Sequence, residues 1–258
     1  MNLGQRPYAV FDIDGTLIRW QLYHALADRL VKHGSIDAIA YQEVLRARRN
    51  WKNRSGTNSF DEYETAMIEL VGRSLKGMDY ALFNESCIEV FKRYQDQVYT
   101  FTRDLINELR LQNYLIFALS GSPTEVVSLV SNYYNFDDYA GSTYNVQDGY
   151  LDGKVKPLLG PAKLKQLIKL IKKHNASTKS SIAVGDTASD IDMLELAERA
   201  IAFNPAQNLF KKALSSGWEV VVERKNVVYQ LNYKYGSYVL ATPTTSESSL
   251  RRRTMEPS

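Results

Sequence analysis

An α/β fold built on a doubly wound parallel sheet, with an all-helical cap inserted into it, is what this sequence predicts. Short apolar runs bounded by turn residues recur at 8–11, 114–119, 181–184, 200–203 and 219–222, the pattern of strands buried on both faces. Amphipathic stretches at 102–111, 123–133, 161–174, 189–199 and 205–215 alternate with them, and strand–helix alternation implies a parallel sheet covered on both sides. Residues 20–99 break the alternation, because they offer helical periodicity without a buried strand. An insert placed straight after the first strand can fold over the strand ends, where open parallel sheets bind their ligands. The expected division is therefore a core of residues 1–19 and 100–232, a cap of residues 20–99, and a disordered tail of residues 233–258.

The first strand ends in Asp12-Ile-Asp14-Gly15-Thr16, two carboxylates spaced by two. On a continuing strand such residues share a face, so Asp12 and Asp14 can converge on one substrate beyond the sheet. A solvated Asp-Gly turn accounts equally well for this motif alone. The cap segments follow, among them HALADRLVKHG, YQEVLRARRNWKN and FDEYETAMIELVGRSL. The basic run Arg46, Arg48, Arg49, Lys52 and Arg54 does not fall on one helical face and reads as solvated. Cys87, the only cysteine, sits at helical spacing with Ile88 and Phe91 and reads as a buried, inert thiol.

The second strand delivers Ser120-Gly121-Ser122-Pro123 to the start of a helix. Unpaired amides at a helix N-terminus attract anions, Gly121 allows close approach, and Pro123 suits a first helical turn. A serine N-cap without a ligand is the alternative. Residues 143–155 alternate on both sides of Asp148-Gly149, the pair favoured in two-residue hairpin turns, and predict a small β-hairpin. Lys163 stands in the first turn of a basic helix, where solvation is the ordinary fate of a lysine. The next strand ends in Gly185-Asp186, with Asp190 in the opening turn of the following helix, a place where an acid also complements the helix dipole.

Composition narrows the function. With 44% hydrophobic and 24% charged residues the chain is an ordinary globular protein, and a net charge of +3 without a dense basic cluster does not predict nucleic-acid binding. A single cysteine excludes an internal disulfide and a thiol-rich metal site, and suits a reducing, cytoplasmic setting. No run reaches the ~18 apolar residues of a membrane span. His24, His33 and His174 are too scattered to propose zinc. Three Arg residues, Arg251, Arg252 and Arg253, read as part of the solvated tail. The oligomeric state is not encoded in any of these features.

The weight lies in the conjunction. Three strands bring polar groups to the same end of the sheet, and two carboxylates roughly 4 Å apart repel by about 4 kcal/mol at an effective dielectric of about 20. Lys163 balances one charge, and an all-oxygen cluster suits Mg²⁺. In this order, each behind an apolar strand, the four segments resemble the signature motifs of the haloacid dehalogenase (HAD) superfamily: DxDGT, a terminal Ser/Thr, a lysine, and GDxxxD. The resemblance runs over residues 8–204 and implies a Rossmann-like HAD core. It implies Asp12 as nucleophile and metal ligand, Asp14 as general acid/base contributing its backbone carbonyl to the metal, and Asp186 as the third protein ligand, with Asp190 in support. Ser120, the Gly121 amide and Lys163 are implied on the phosphate, with Thr16 beside them steadying the loop.

The position of the insert is similar to that in the phosphoserine-phosphatase-like branch, and SGSP with DGYLDGKV resembles its subfamily IB hydrolases. Phosphoserine phosphatases carry a glutamate nine residues after the nucleophile, where this chain has Gln21, a possible substrate contact. The place of their cap-helix arginine falls near Thr65 and Met67. The resemblance thus implies a magnesium-dependent phosphatase acting on a small phosphorylated metabolite or phospholipid head group, with phosphoserine itself disfavoured. A phosphotransferase or mutase with the same nucleophile, and a non-catalytic module binding a phosphorylated ligand, are the alternatives.

Overall fold

The computed structural model describes residues 5–56, 59–225 and 227–245. A single sheet runs through the molecule in the order β4-β3-β2-β1-β5-β6-β7-β8-β9. Its strands are β1 (Pro7–Phe11), β2 (Leu115–Pro123), β3 (Asp138–Gln147), β4 (Tyr150–Lys156), β5 (Ser177–Gly185), β6 (Arg199–Phe203), β7 (Glu219–Arg224), β8 (Val227–Lys234) and β9 (Ser237–Thr245). Pairing is parallel from β3 through β7 and antiparallel at both margins. The sheet is α/β and doubly wound, as its sequence pattern requires.

The period-two alternation of side chains divides the core in two. Ala9 and Phe11 of β1 face one cluster with Ile116, Val184 and Phe203, whereas Tyr8 and Val10 face the other with Phe117, Leu119 and Ala183. Helices α7 (Pro161–Lys173), α8 (Ile191–Leu196) and α9 (Gln207–Ser216) cover the second face through Leu167, Met193 and Leu209. Helices α5 (Thr100–Leu111) and α6 (Thr124–Tyr133) cover the first through Ile106 and Val126. β1 pairs with β2 on one side and β5 on the other, so the chain reverses its winding direction at β1. The crevice beyond the carboxyl ends of β1 and β5 is where such a sheet places a ligand.

Four helices, α1 (Leu22–Lys32), α2 (Tyr41–Lys52), α3 (Ser59–Ser74) and α4 (Tyr80–Tyr94), stand between β1 and α5. The two strands of chain that enter and leave this helical group meet side by side, with an antiparallel bridge between Ile18 and Val98. The β3–β4 hairpin turns at Asp148 (φ 51°) and Gly149 (φ 83°), and the α3–α4 loop grips it. Gly77 donates to Leu151 O (2.8 Å), Leu151 donates to Met78 O (2.8 Å), and Tyr80 donates to Gly149 O (2.9 Å). Cys87 is buried among apolar groups, and that burial together with the charge of Glu125 pushes its thiol up, away from the thiolate.

Two expectations need correction. Arg48 is not solvated: it donates to both oxygens of Asp28 (3.1 and 2.9 Å) and to the hydroxyls of Tyr63 (2.8 Å) and Tyr41 (2.9 Å), tying α1, α2 and α3 together. A solvated-face reading weighs charges and ignores that a guanidinium fork can be satisfied by one set of hydrogen-bond acceptors. The region from residue 233 is not wholly irregular, because β8 continues to Lys234 and β9 follows after a turn at Tyr235 (φ 52°) and Gly236 (φ 84°). These strands lengthen an existing ladder on β7 and need no core of their own. Tyrosine at a left-handed turn position gives none of the usual hairpin signal. Arg251, Arg252 and Arg253 lie outside the described residues. No helix among the described residues is long and apolar enough to cross a membrane.

His24 of α1 is buried, with its ring 4.5 Å from that of Tyr63. Burial first, and the Arg48 charge second, push its pKa down to about 3. The unfolded chain therefore takes up this proton near pH 6.5 while the folded chain does not, so the associated stability is complete above about pH 6.5 and is lost as pH falls toward 3. Urea midpoints for wild type and His24→Phe between pH 7.5 and 4.5 check this. The variant should lose about 3 kcal/mol less over that range; parallel pH profiles would contradict the assignment.

Candidate active site

β1 stops at Phe11, and the two carboxylates come from the turn beyond it, not from a continuing pleat. Asp12 N donates to Val184 O (2.9 Å), which holds the start of this turn against β5. Gly15 then bends back with φ +81°, and its amide donates to Ile18 O (3.0 Å). A Cβ at Gly15 would lie 2.1 Å from Asp186 Oδ2, so only glycine lets the β5 aspartate close on the β1 turn. Ile13 is buried between the two acids, leaving Asp12 and Asp14 to line a common cavity of about 380 Å³.

Lys163, the first-turn lysine of α7, is not on the surface. Its side chain is almost fully buried, and Nζ donates to Asp12 Oδ1 (2.7 Å) and to Asp190 Oδ1 (2.6 Å). Burial alone would favour the neutral amine, but the charges of Asp12 and Asp190 outweigh it and hold the ammonium well above its ordinary range. The other Asp190 oxygen accepts from Asp186 N (3.1 Å) and Thr187 N (3.0 Å). Asp190 thus spends both oxygens on fixing the lysine and the β5 turn. Gly185 admits it there, since a Cβ at that position would meet Asp190 Cβ at 2.5 Å.

Asp14 accepts from Ser120 Oγ (2.5 Å) and from Leu22 N (2.5 Å), the first amide of α1. The acid therefore caps a helix whose own N-cap residue, Gln21, makes no side-chain cap bond. β2 extends through Pro123 and α6 begins at Thr124, one residue later than the sequence suggests, with neither serine capping the helix. Ser120 Oγ accepts from Ser122 N (2.9 Å) while donating to Asp14, and Gly121 and Ser122 line the cavity. β3 braces this loop: Ser142 Oγ donates to Gly121 O (2.6 Å), and a Cβ on Gly141 would meet the Ser122 carbonyl oxygen at 2.7 Å.

The expected residues are thus distributed as follows. Asp12, Asp14, Gly121, Lys163, Asp186 and Gln21 line the cavity. Ser120 and Asp190 stand directly behind it, bonded to Asp14 and to Lys163. Thr16 is fully buried and does not line the cavity; its hydroxyl faces Asp186 Oδ1 at 3.4 Å. The opposite wall, which sequence reasoning missed, is formed by Tyr23 and His24 of α1, Glu64, Ile68 and Gly72 of α3, and Tyr144 of β3. The spacing of Glu64, Ile68 and Gly72 by four was the available signal, since it puts them on one helical face.

Charge decides what this site can hold. Single oxygens of Asp12, Asp186 and Asp190 lie within 4.8 Å of one another. Burial, opposed by Lys163 and reinforced by Asp190 and Asp14, lifts Asp12 to about 8. Burial and then the charges of Asp12 and Asp190 push Asp186 well up, and burial likewise raises Asp14 against the pull of its Ser120 and Leu22 bonds. One ammonium among four carboxylates leaves a deficit of positive charge in a place that is hard, oxygen-only and open to the cavity. Those properties fit Mg²⁺, for which Asp12 and Asp186 have oxygens to offer, whereas the Asp190 oxygens are already engaged.

A model of the haloacid dehalogenase-like hydrolase family matches residues 9–195. Among curated relatives, a phosphoserine phosphatase of Mycobacterium tuberculosis is 26% identical over 197 residues, which cover 76% of this chain and 43% of that protein. One of Archaeoglobus fulgidus is 27% identical over 222 residues, covering 81% and 58%, and one of Wolinella succinogenes is 24% identical over 221 residues, covering 85% and 95%. The chain thus spans about half the length of the first two. A solved phospho-aspartyl intermediate analogue of phosphoserine phosphatase superposes with a TM-score of 0.62 at 22% identity, covering 86% of this chain and 95% of that one. A protein of unknown function from Bordetella pertussis gives a TM-score of 0.64 at 18% identity, covering 84% and 98%. At these identities the structures speak for the fold.

Lys163→Met removes the buried cation and leaves two buried carboxylates facing each other. Urea unfolding at neutral pH should show a loss of about 3–5 kcal/mol; a change below about 1 kcal/mol would mean that the lysine is not the counter-charge of this cluster.

Proposed function

Since the chain belongs to the haloacid dehalogenase-like hydrolases, we propose that it is a magnesium-dependent phosphomonoesterase working through an aspartyl-phosphate on Asp12. The observation that carries the reading is the meeting of Asp12, Asp14, Lys163 and Asp186 on one cavity wall. The curated phosphoserine phosphatases support the class of reaction.

One Asp12 oxygen is held by Lys163 and the other is available to attack phosphorus, forming the Asp12 O–P bond as the bond to the leaving alkoxide breaks. Asp14, whose pKa burial raises, delivers its proton to that alkoxide. It then takes a proton from the water that attacks phosphorus and releases inorganic phosphate from Asp12. Ser120 turns from Asp14 to the phosphate, beside the Gly121 amide, and Lys163 offsets charge on the equatorial oxygens. Asp190 keeps Lys163 in place, and Thr16 keeps Asp186 against the β1 turn. Asp12, Asp186 and the Asp14 carbonyl would hold Mg²⁺, which would supply further neutralisation of phosphate charge. Residues 20–99 act as the cap, closing the cavity over residues 1–19 and 100–232 of the core and excluding bulk water.

The substrate is a small phosphorylated metabolite or head group and not phosphoserine itself. Gln21 lines the cavity where a glutamate would read an amine, Thr65 is exposed, and Met67 is buried in the core away from the cavity. Neither of the latter replaces a carboxylate-binding arginine.

Phosphate release from 4-nitrophenyl phosphate with magnesium tests the reading. Asp12→Asn should cost roughly 10³-fold or more, and chelation should suppress the wild type comparably. Undiminished turnover by Asp12→Asn, or phosphate appearing on an added alcohol in place of free phosphate, would contradict it.

A further inference from the structure

The α3 face that looks into the cavity is Glu64, Ile68 and Gly72, and none of the three offers a cation to the carboxylate of an amino acid phosphate. Among the described residues lining the cavity, Lys163 is the one lysine or arginine, and its ammonium already lies between Asp12 and Asp190. A carboxylate on the leaving alcohol would find no further lysine or arginine lining this cavity. Ile68 is 42% exposed, an apolar side chain turned to open space on the cavity wall. Tyr23, Tyr144, Val155 and Leu159 continue that apolar lining.

Gly72 is the more telling residue. It lies in the last turn of α3, and among the described residues it is the one glycine inside a helix. Glycine weakens a helix relative to alanine, so its presence there asks for a reason. No protein atom supplies one: a Cβ at Gly72 would have nothing within 4 Å, in contrast to Gly15, Gly141 and Gly185, where close neighbours demand glycine. The space over Gly72 opens onto the cavity.

We propose that the substrate's alcohol is extended, mainly apolar and free of carboxylate, and that it lies along Ile68 with its far end over Gly72. This rests on the phosphatase reading only for the placement of the phosphate at Asp12. The bare helix surface at Gly72 sets the length of leaving group the cavity accepts.

Calorimetric binding of alkylphosphonates in magnesium buffer tests the pocket without requiring turnover. Affinity should rise from methyl- to hexylphosphonate by up to about fourfold per methylene, and the phosphonate analogue of phosphoserine should bind at least about tenfold more weakly than hexylphosphonate. Gly72→Leu should cut the hexyl-to-methyl affinity ratio by about tenfold, and Gly72→Ala should cut it less. Ile68→Arg, at an exposed position tolerant of change, should strengthen the phosphoserine analogue by about tenfold. A series flat in chain length, a phosphoserine analogue that binds wild type most tightly, or a ratio untouched by both Gly72 variants would overturn the proposal. Phosphate release from hexyl phosphate is scored in parallel. The binding pattern without release would uphold this pocket and refute hydrolysis, whereas release without the pattern would do the reverse.

Discussion

The buried ammonium of Lys163 between Asp12 and Asp190 is the contact on which the site depends. It crosses from α7, on one face of the sheet, to the ends of β1 and β5. Without it, acids delivered by two separate strands would have to protonate or move apart, because burial and mutual repulsion act in the same direction on each. With it, the deficit of positive charge is reduced and not abolished. The remaining deficit faces the cavity, which is what makes the site receptive to a divalent ion.

Backbone economy makes that contact possible. Gly15 and Gly185 are places where a methyl group would collide with Asp186 and Asp190, and Gly141 lets β3 press against the loop that carries Ser120. The acids are therefore positioned by close approach of main chain as much as by hydrogen bonds. Asp14 adds a different connection, since its carboxylate holds the first amide of α1. The group proposed to move the proton is thus tied to the first of the helices that cover it, and its environment changes whenever that helix shifts.

Much of this was legible in the sequence because strand ends are written in local patterns. Apolar runs closed by Asp12-Ile-Asp14-Gly15, Ser120-Gly121 and Gly185-Asp186 announce both a strand and its polar terminus, and Asp148-Gly149 announces a hairpin. Lys163 was set apart from Lys165 and Lys169 only by its place in the first helical turn and by the motifs around it, and its inward path is a property of the packed helix. The opposite wall was hidden for the same reason. Glu64, Ile68 and Gly72 share a face of α3, but which face meets the cavity is fixed by the Arg48 network and the clasp on the β3–β4 hairpin, contacts between segments far apart in the chain. The β8–β9 hairpin escaped notice because Tyr235 occupies a turn position where asparagine or aspartate would have signalled it.

Asp12 and Asp186, delivered by separate strands, present oxygens close enough to share one divalent cation. Calorimetric titration of magnesium into the wild type and Asp186→Asn measures that most directly. The account predicts one ion per wild-type chain and binding at least about tenfold weaker in the variant, which keeps the shape of the side chain and removes its charge. Equal binding by the two proteins, or none by the wild type, would contradict it.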